Sequence, residues 1–148
     1  MEYEEVSLRE ITADTVRAIC ELEVAPEQRG YVAPNAVSIA QAHFSPEAWF
    51  RAIYAGEEPV GFVMLSVDTE AQSHYLWRFM IASEHQGRGY GRRALDLVVE
   101  HVRSLPGARE LASSFVPGDA GPRDFYLAYG FEETGEVEGG EHVIRLAL

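Results

Sequence analysis

Three glycines on alternate positions, Gly87, Gly89 and Gly91, follow an apolar stretch and precede a helical pattern. Glycine permits the tight turn in which several neighbouring backbone N–H groups converge on one concavity. A helix that begins near Arg92 would add the positive end of its dipole to this concavity. The segment therefore predicts a binding site for an anion such as a pyrophosphate, although the glycines alone could equally form a plain turn.

Two other phosphate-binding loops are excluded by the same residues. A Walker loop requires G-x-x-x-x-G-K-[ST], and no lysine follows any of these glycines. A dinucleotide fingerprint requires G-x-G-x-x-G, but the third glycine position falls on Arg92 or Ala94 when counted from Gly87 or Gly89. The loop therefore needs a different explanation.

A tyrosine further along the chain, Tyr126, lies in an aromatic segment with Phe125, Tyr129 and Phe131. A phenol with an ordinary pKa of about 10 stays protonated at neutral pH and can donate its proton to a leaving group. Tyrosines in aromatic clusters more commonly serve packing. Only a motif around Tyr126 would favour a catalytic role.

The two segments together resemble the Gcn5-related N-acetyltransferase (GNAT) family. Gln86, Gly89 and Gly91 match the cofactor loop [QR]-x-x-G-x-[GA] of that family, and residues 125–131 match its F-Y-x-x-x-G-F motif. The resemblance covers nearly the whole chain and implies a single domain over residues 1–148. It further implies an enzyme that uses acetyl-coenzyme A to acetylate a primary amine, with Tyr126 as the acid that protonates the departing thiolate.

The resemblance also assigns the residues that would bind acetyl-coenzyme A. Backbone groups of Phe79, Met80 and Ile81 would pair with the pantetheine arm, and an N–H near Met80 would polarise the acetyl carbonyl. Asp119 departs from the family, which usually has an asparagine there whose side chain bonds to the pantetheine arm. An ionised carboxylate accepts hydrogen bonds but cannot donate them, so Asp119 cannot replace the asparagine as a donor. The predicted pyrophosphate contacts are Gln86, Gly87, Arg88, Gly89, Tyr90, Gly91 and Arg92.

The acceptor is predicted from two further segments, residues 31–42 and 77–81, which resemble the bacterial spermine/spermidine acetyltransferase branch of the family. Glu23 and Glu27 border the early helices and could bind a polyamine ammonium, and Trp77 could contact it through its ring. Solvated surface acids and a core tryptophan are the simpler interpretations. An amino acid, a drug amine or a peptide N-terminus remain alternative acceptors, and a non-catalytic coenzyme A-binding module is a further alternative.

The composition narrows the class of partner. Twenty-four acidic residues against twelve basic ones give a formal net charge of −12, which disfavours nucleic acid and is compatible with a cationic substrate. The single cysteine, Cys20, cannot form an internal disulfide, and its helical neighbours predict burial. Residues 1–5 lack a signal-peptide pattern, and no apolar run reaches the roughly 18 residues of a membrane span. We therefore expect a cytoplasmic protein without a membrane partner.

Two expectations concern assembly and metals. His74 and His85 lack the carboxylate or cysteine spacing of metal ligands, so the sequence predicts no metal site. A homodimer is an expectation that the resemblance alone adds.

The resemblance implies the α/β GNAT (acyl-CoA N-acyltransferase) fold, with a mixed, mostly antiparallel twisted sheet and helices on both faces. A strand over residues 75–81, a helix that begins near Arg92 and stops at Leu105-Pro106-Gly107, and a strand over 111–116 form a crossover, which predicts a central parallel pair. Asp14 is expected to cap a first helix, and Ser45-Pro46 is expected to begin another. The remaining expectations are a strand over 6–11, a helix over 36–42, a hairpin over 51–67, a helix from Pro122 that Gly130 ends, and strands over 132–137 and 142–147.

Overall fold

The computed structural model describes residues 4–148, so Met1–Tyr3 of the amino-terminal stretch considered above lie outside the described residues. Those residues contain seven strands and four α-helices. They are β1 (Val6–Arg9), α1 (Val16–Glu21), α2 (Asn35–His43), β2 (Ala48–Ala55), β3 (Glu58–Asp68), β4 (Ser73–Ile81), α3 (Tyr90–Arg103), β5 (Glu110–Phe115), α4 (Arg123–Tyr129), β6 (Glu132–Glu138) and β7 (Glu141–Ala147).

The strands form one sheet in the order β1-β2-β3-β4-β5-β7-β6. Neighbouring strands are antiparallel except β4 and β5, which are parallel because α3 carries the chain back between them. The predicted mixed sheet with one central parallel pair is therefore confirmed. None of the helices in residues 4–148 is both long and apolar enough to cross a membrane.

The helices cover both faces of the sheet, as predicted. On one face, α1 and α2 pack over β2 and β3, where Ile19 joins Phe62 and Met64 in an apolar cluster. Cys20 of α1 is only half-buried, so its expected burial is only partial. On the other face, α3 is amphipathic and buries one stripe of side chains against the sheet, consisting of Ala94, Leu95, Val98, Val99 and Val102.

Two predicted helix starts are wrong. Ser45-Pro46 belongs to a turn, closed by the Ala48 N–H donating to the Ser45 carbonyl at 3.2 Å, and the chain then enters β2. The aromatic and β-branched residues that follow favour a strand over a helix. Asp14 does not cap α1, because that helix begins at Val16 with Thr15 at its N-cap position. The Thr15 hydroxyl instead accepts the Thr12 N–H at 2.9 Å.

The parallel pair β4–β5 separates after two residues. Only Tyr75 pairs with Ala112 and Leu76 with Ser113, and the Ser113 hydroxyl donates to the Leu76 carbonyl at 2.9 Å. Trp77 then forms a bulge, because the pairing of β4 with β3 shifts at this position. Beyond the bulge, the edge of β4 that faces β5 has no strand partner over residues 77–81 in the described chain. These backbone groups border the candidate site.

Candidate active site

A cavity of about 820 Å³ lies in the opening between β4 and β5. Its volume is within the usual range for a small-molecule or cofactor site. The unpaired part of β4 forms its floor, the loop before α3 forms one end, and residues 28–34 between α1 and α2 cover another side. The start of α4 and the end of β5 complete the lining.

The glycine loop has the backbone that the sequence predicts. Gly87 and Gly89 have φ of 80° and 82°, in the left-handed region, and Gly89 is the N-cap of α3. A β-carbon at either glycine would lie in open space, so the backbone conformation rather than crowding requires glycine there. The helix begins at Tyr90, earlier than expected, and its first-turn N–H groups have no partner within the helix.

Most of the predicted cofactor residues line this cavity. The lining residues among them are Phe79, Met80, Ile81, Gln86, Gly87, Gly89, Tyr90, Gly91 and Arg92. Arg88 and Asp119 are exposed and do not line it, although Ala120 and Gly121 beside Asp119 do. The geometry therefore brings together every predicted cofactor residue except these two.

The Gln86 side chain makes hydrogen bonds within the protein. Its Nε2 donates to the Ile81 carbonyl at 2.9 Å and to Gln28 Oε1 at 2.9 Å. Gln28 Nε2 in turn donates to Gln86 Oε1 at 3.2 Å. This reciprocal amide pair ties the glycine loop to the segment between α1 and α2.

The segment between α1 and α2 also contacts the turn between β5 and α4, through Tyr31. The ring of Tyr31 packs so closely on this turn that a β-carbon at Gly118 would lie 2.9 Å from its Cζ, and one at Gly121 would lie 2.9 Å from its Cε1. Gly118 also has a positive φ of 157°. Glycine at both positions therefore allows Tyr31 to close this side of the cavity.

Tyr126 lies on α4 with only 6% of its surface exposed, and it lines the cavity. Its ring packs edge-on against Phe125 and Phe131, with centroid distances of 5.5 and 5.3 Å. Burial, and to a smaller extent the neighbouring Tyr75, raise the pKa of Tyr126 above its ordinary value. Tyr126 is thus a protonated phenol at the cavity wall, whereas Tyr129 donates its hydroxyl proton to Asp96 at 2.7 Å.

The predicted acceptor residues are placed unevenly. Trp77 lines the cavity, whereas Glu23 borders a smaller neighbouring cavity and lies 3.6 Å from the guanidinium of Arg29. Glu27 is exposed and lines neither cavity. The structure therefore brings one of the three into the main cavity.

Four residues that the sequence did not single out line the cavity or lie beside it. Glu141 lines the cavity and accepts a hydrogen bond from Ser114 Oγ at 3.1 Å, and Ser114 is also hydrogen-bonded to the Tyr75 hydroxyl. Arg78 donates to Gln41 Oε1 and to the Trp77 carbonyl, each at 3.1 Å. Burial lowers the pKa of Arg78, while Glu141 acts in the opposite direction. Only the pairing of β5 with β7 brings Glu141 here, so no local sequence signal could have identified it.

The two histidines considered as metal ligands, His74 and His85, do not lie in a common cluster of ligands in the part of the chain that the structure describes. His85 has its Nε2 at 3.6 Å from Glu58 Oε1 and 3.7 Å from Glu84 Oε1, while His74 is buried with both ring nitrogens unpartnered. Within residues 4–148, no group of three or more His, Cys, Asp or Glu side chains could hold a metal ion.

Comparison with known proteins connects this geometry to a family. The acetyltransferase (GNAT) family model matches residues 16–131. The chain is 25% identical over 150 aligned positions to the spermine/spermidine N(1)-acetyltransferase of Bacillus subtilis, covering 94% of this chain and 96% of the relative.

Two solved structures share the fold. An acetyltransferase from Thermus thermophilus superposes with a TM-score of 0.72 at 21% identity, covering 100% of both chains. The PaiA N-acetyltransferase from Thermoplasma acidophilum, solved in complex with coenzyme A, superposes with a TM-score of 0.72 at 15% identity, covering 97% of this chain and 99% of that one. Since the family model spans most of the chain, the protein is an N-acetyltransferase that belongs to the GNAT family.

Proposed function

We propose that this enzyme transfers the acetyl group of acetyl-coenzyme A to a primary amine, and that the amine is a polyamine such as spermidine or spermine. A neutral amine attacks the acetyl carbonyl directly while both substrates are bound, the C–S bond breaks, and the proton that the nitrogen loses passes to water. The observation that carries the proposal is the convergence of the unpaired β4 edge, the glycine loop and Tyr126 on one cavity. Bound acetyl-coenzyme A would supply an activated acetyl group as its thioester.

The residues present suit such a donor. The loop around Gly87 and Gly89 combines left-handed glycines with the free N–H groups of a helix start, which is a favourable site for a diphosphate. Arg92 adds a positive charge at the same end of the cavity. Backbone groups of Phe79, Met80 and Ile81 are available to pair with an extended arm, because β5 has already separated from β4.

Tyr126 is the proposed acid. Its raised pKa keeps the proton on its hydroxyl throughout the neutral range, so the residue can donate to a departing thiolate. Burial among Phe125 and Phe131 fixes the ring and limits competition from water. Proton donation of this kind typically accelerates a reaction by about 10²–10⁴-fold.

A polyamine acceptor is supported by the relative from Bacillus subtilis, by the net charge of −12, and by Glu141 and Trp77 in the cavity lining. An ammonium group can bind the carboxylate, whereas the Trp77 ring already has the Arg78 guanidinium carbon 5.5 Å from its centroid and offers the acceptor only its remaining surface. Glu23 and Glu27 lie outside the main cavity, so we propose them only for the distal end of a long acceptor.

Arg78 favours a second candidate, an acceptor that carries both an amine and a carboxylate. Its guanidinium lines the same cavity as Glu141 and is influenced by that carboxylate, but the two do not form an ion pair in the described chain. A zwitterionic amine such as an amino acid would bridge them.

Both candidates are tested by incubating the enzyme with acetyl-coenzyme A and each amine of a panel, and by measuring the free thiol that is released. The panel contains spermidine, spermine, neutral amino acids, an aminoglycoside and a short peptide with a free N-terminus. A kcat/KM for spermidine or spermine at least tenfold above the values for the other amines supports the polyamine. Preference for an amino acid supports the second candidate. If no amine of the panel causes thiol release, the proposed function is contradicted.

A further inference from the structure

We propose that Glu141 binds the ammonium group of the acceptor and thereby selects charged amines, an inference that rests on the proposed amine acetylation. Glu141 is the only carboxylate among the described residues that line the main cavity. The other fully ionised side chains there are the cations Arg29, Arg78 and Arg92. An ammonium that enters the cavity therefore has one anionic partner.

A chain of hydrogen bonds fixes the Glu141 carboxylate. Ser114 Oγ donates its single proton to Glu141 Oε1 at 3.1 Å, so the Tyr75 hydroxyl must be the donor in its hydrogen bond to Ser114. The chain therefore runs from Tyr75 through Ser114 to Glu141. The second carboxylate oxygen, Oε2, makes no hydrogen bond among residues 4–148 and keeps its acceptor capacity for a ligand.

The carboxylate lies where the sheet opens. Ser114 directly follows Ser113, the last β5 residue that pairs with β4. Side chains of β5 point alternately to the two faces of the sheet. Leu111 and Phe115 point to the face covered by α3 and α4, where they join the same apolar cluster as Tyr126. Ser114 therefore faces the opposite side, so the acceptor carboxylate and the proposed acid approach the opening from different faces of the sheet.

This arrangement suits the reaction. An amine adds to one face of the planar thioester carbonyl, and the sulfur leaves from the tetrahedral intermediate that results, so the group that binds the amine and the acid that protonates the thiolate need different positions around the reacting carbon. Glu141 and Tyr126 both line the cavity but belong to different faces of the sheet, so one can bind the amine while the other donates to the thiolate. Glu141 also forms no ion pair in the described part of the chain, so no protein cation has to be displaced before an ammonium can bind.

Glu141→Gln tests this role, with Glu138→Gln as the matched control. Glu138 faces Glu141 in the β6–β7 hairpin, is exposed, and does not line the cavity. Both variants remove one negative charge from the same hairpin. We expect Glu141→Gln to raise KM for spermidine by about 10- to 100-fold, the usual value of a hydrogen bond to a charged group, with kcat less affected.

Further variants separate binding from folding. Glu138→Gln should leave KM within about twofold, and both variants should bind coenzyme A with wild-type affinity by calorimetry. Glu141→Asp, which keeps the charge, should recover part of the loss. Ser114→Ala should raise KM by a smaller factor, because it removes the hydrogen bond that orients the Glu141 carboxylate but leaves the charge of that carboxylate in place.

The inference fails if Glu141→Gln and Glu138→Gln have the same KM for spermidine. If the wild-type enzyme acetylates only amino acids, the same comparison is made with the best amino acid. If it acetylates no amine at all, the proposed function is wrong, and Glu141 is then tested by calorimetric titration of spermidine into the protein saturated with coenzyme A. Equal affinity of both variants in that titration would also overturn the inference.

Discussion

Replacement of Tyr126 by phenylalanine removes the proposed acid while leaving the ring in place. The hydroxyl makes no hydrogen bond within the described residues, and the ring contacts with Phe125 and Phe131 do not depend on it. The fold should therefore lose at most about 1 kcal/mol at neutral pH. If Tyr126 contributes the lower end of the usual range for acid catalysis, kcat falls about 100-fold, which corresponds to about 2.7 kcal/mol of transition-state stabilisation.

The assay is thiol release at saturating spermidine or at saturating concentrations of the best amine, combined with calorimetric affinity for coenzyme A. Tyr129→Phe is the matched control, because it makes the same change on the same helix but removes a hydroxyl bonded to Asp96. We expect wild-type kcat from Tyr129→Phe and unchanged coenzyme A affinity in both variants. A kcat for Tyr126→Phe within threefold of wild type would refute the assignment of the acid.

The same variant has a signature in alkaline stability. Burial raises the pKa of Tyr126 in the folded protein, whereas the unfolded chain titrates near the ordinary value of about 10. Above that pH the unfolded state has lost the proton and the folded state retains it, so the free energy of unfolding decreases as pH rises. Tyr126→Phe should lessen this decrease by about 1 kcal/mol between pH 10 and 11, measured by urea unfolding. An unchanged slope would show that Tyr126 is not shielded from solvent.

Three further predictions concern the framework of the site. Gly89→Ala should cost about 1–2 kcal/mol of stability through its left-handed φ and should weaken coenzyme A binding, whereas Gly139→Ala, at a φ of 56° in the β6–β7 turn, should cost stability alone; equal effects on binding would argue against the anion site. A double-mutant cycle of Gln28→Ala and Gln86→Ala, followed by urea unfolding, should give a coupling energy of about 1 kcal/mol, and additive effects would exclude the amide pair as a tie between loop and segment. Ser113→Ala should destabilise the fold by about 1–3 kcal/mol because it leaves the buried Leu76 carbonyl unpaired, while the exposed Ser104→Ala should stay within about 0.5 kcal/mol; equal losses would contradict this account.

Local patterns in the sequence were sufficient for much of the fold. The helical spacing of Leu95, Val98 and Val102 predicted α3, and the strands on either side of it implied the parallel pair that the sheet contains. The two helix starts that failed, at Asp14 and Ser45, rested on single capping residues. A cap is a weak local preference, and the aromatic residues after Pro46 gain more by joining the sheet.

The candidate site likewise contains residues that the sequence could identify and residues whose side-chain positions it could not predict. Gly87, Gly89 and Tyr126 could be identified from the sequence because each belongs to a contiguous motif, whose spacing is fixed by the backbone conformation or the helix that carries it. Arg88 and Asp119 were named from the same motifs but lie outside the cavity lining, because a motif specifies backbone positions and not the direction of an exposed side chain. Their roles in cofactor binding remain predictions.

The sequence alone thus determined the class of enzyme and the residues proposed for its donor end, since both depend on short-range patterns of glycines, aromatic residues and helical periodicity. The tertiary structure decided which other residues line the cavity. Glu141, Ser114 and Tyr75 are far apart in the chain and meet only because β7 pairs with β5 and β5 pairs briefly with β4. Register across a sheet is set by long-range packing of the core, so no local pattern could reveal which carboxylate lines the cavity.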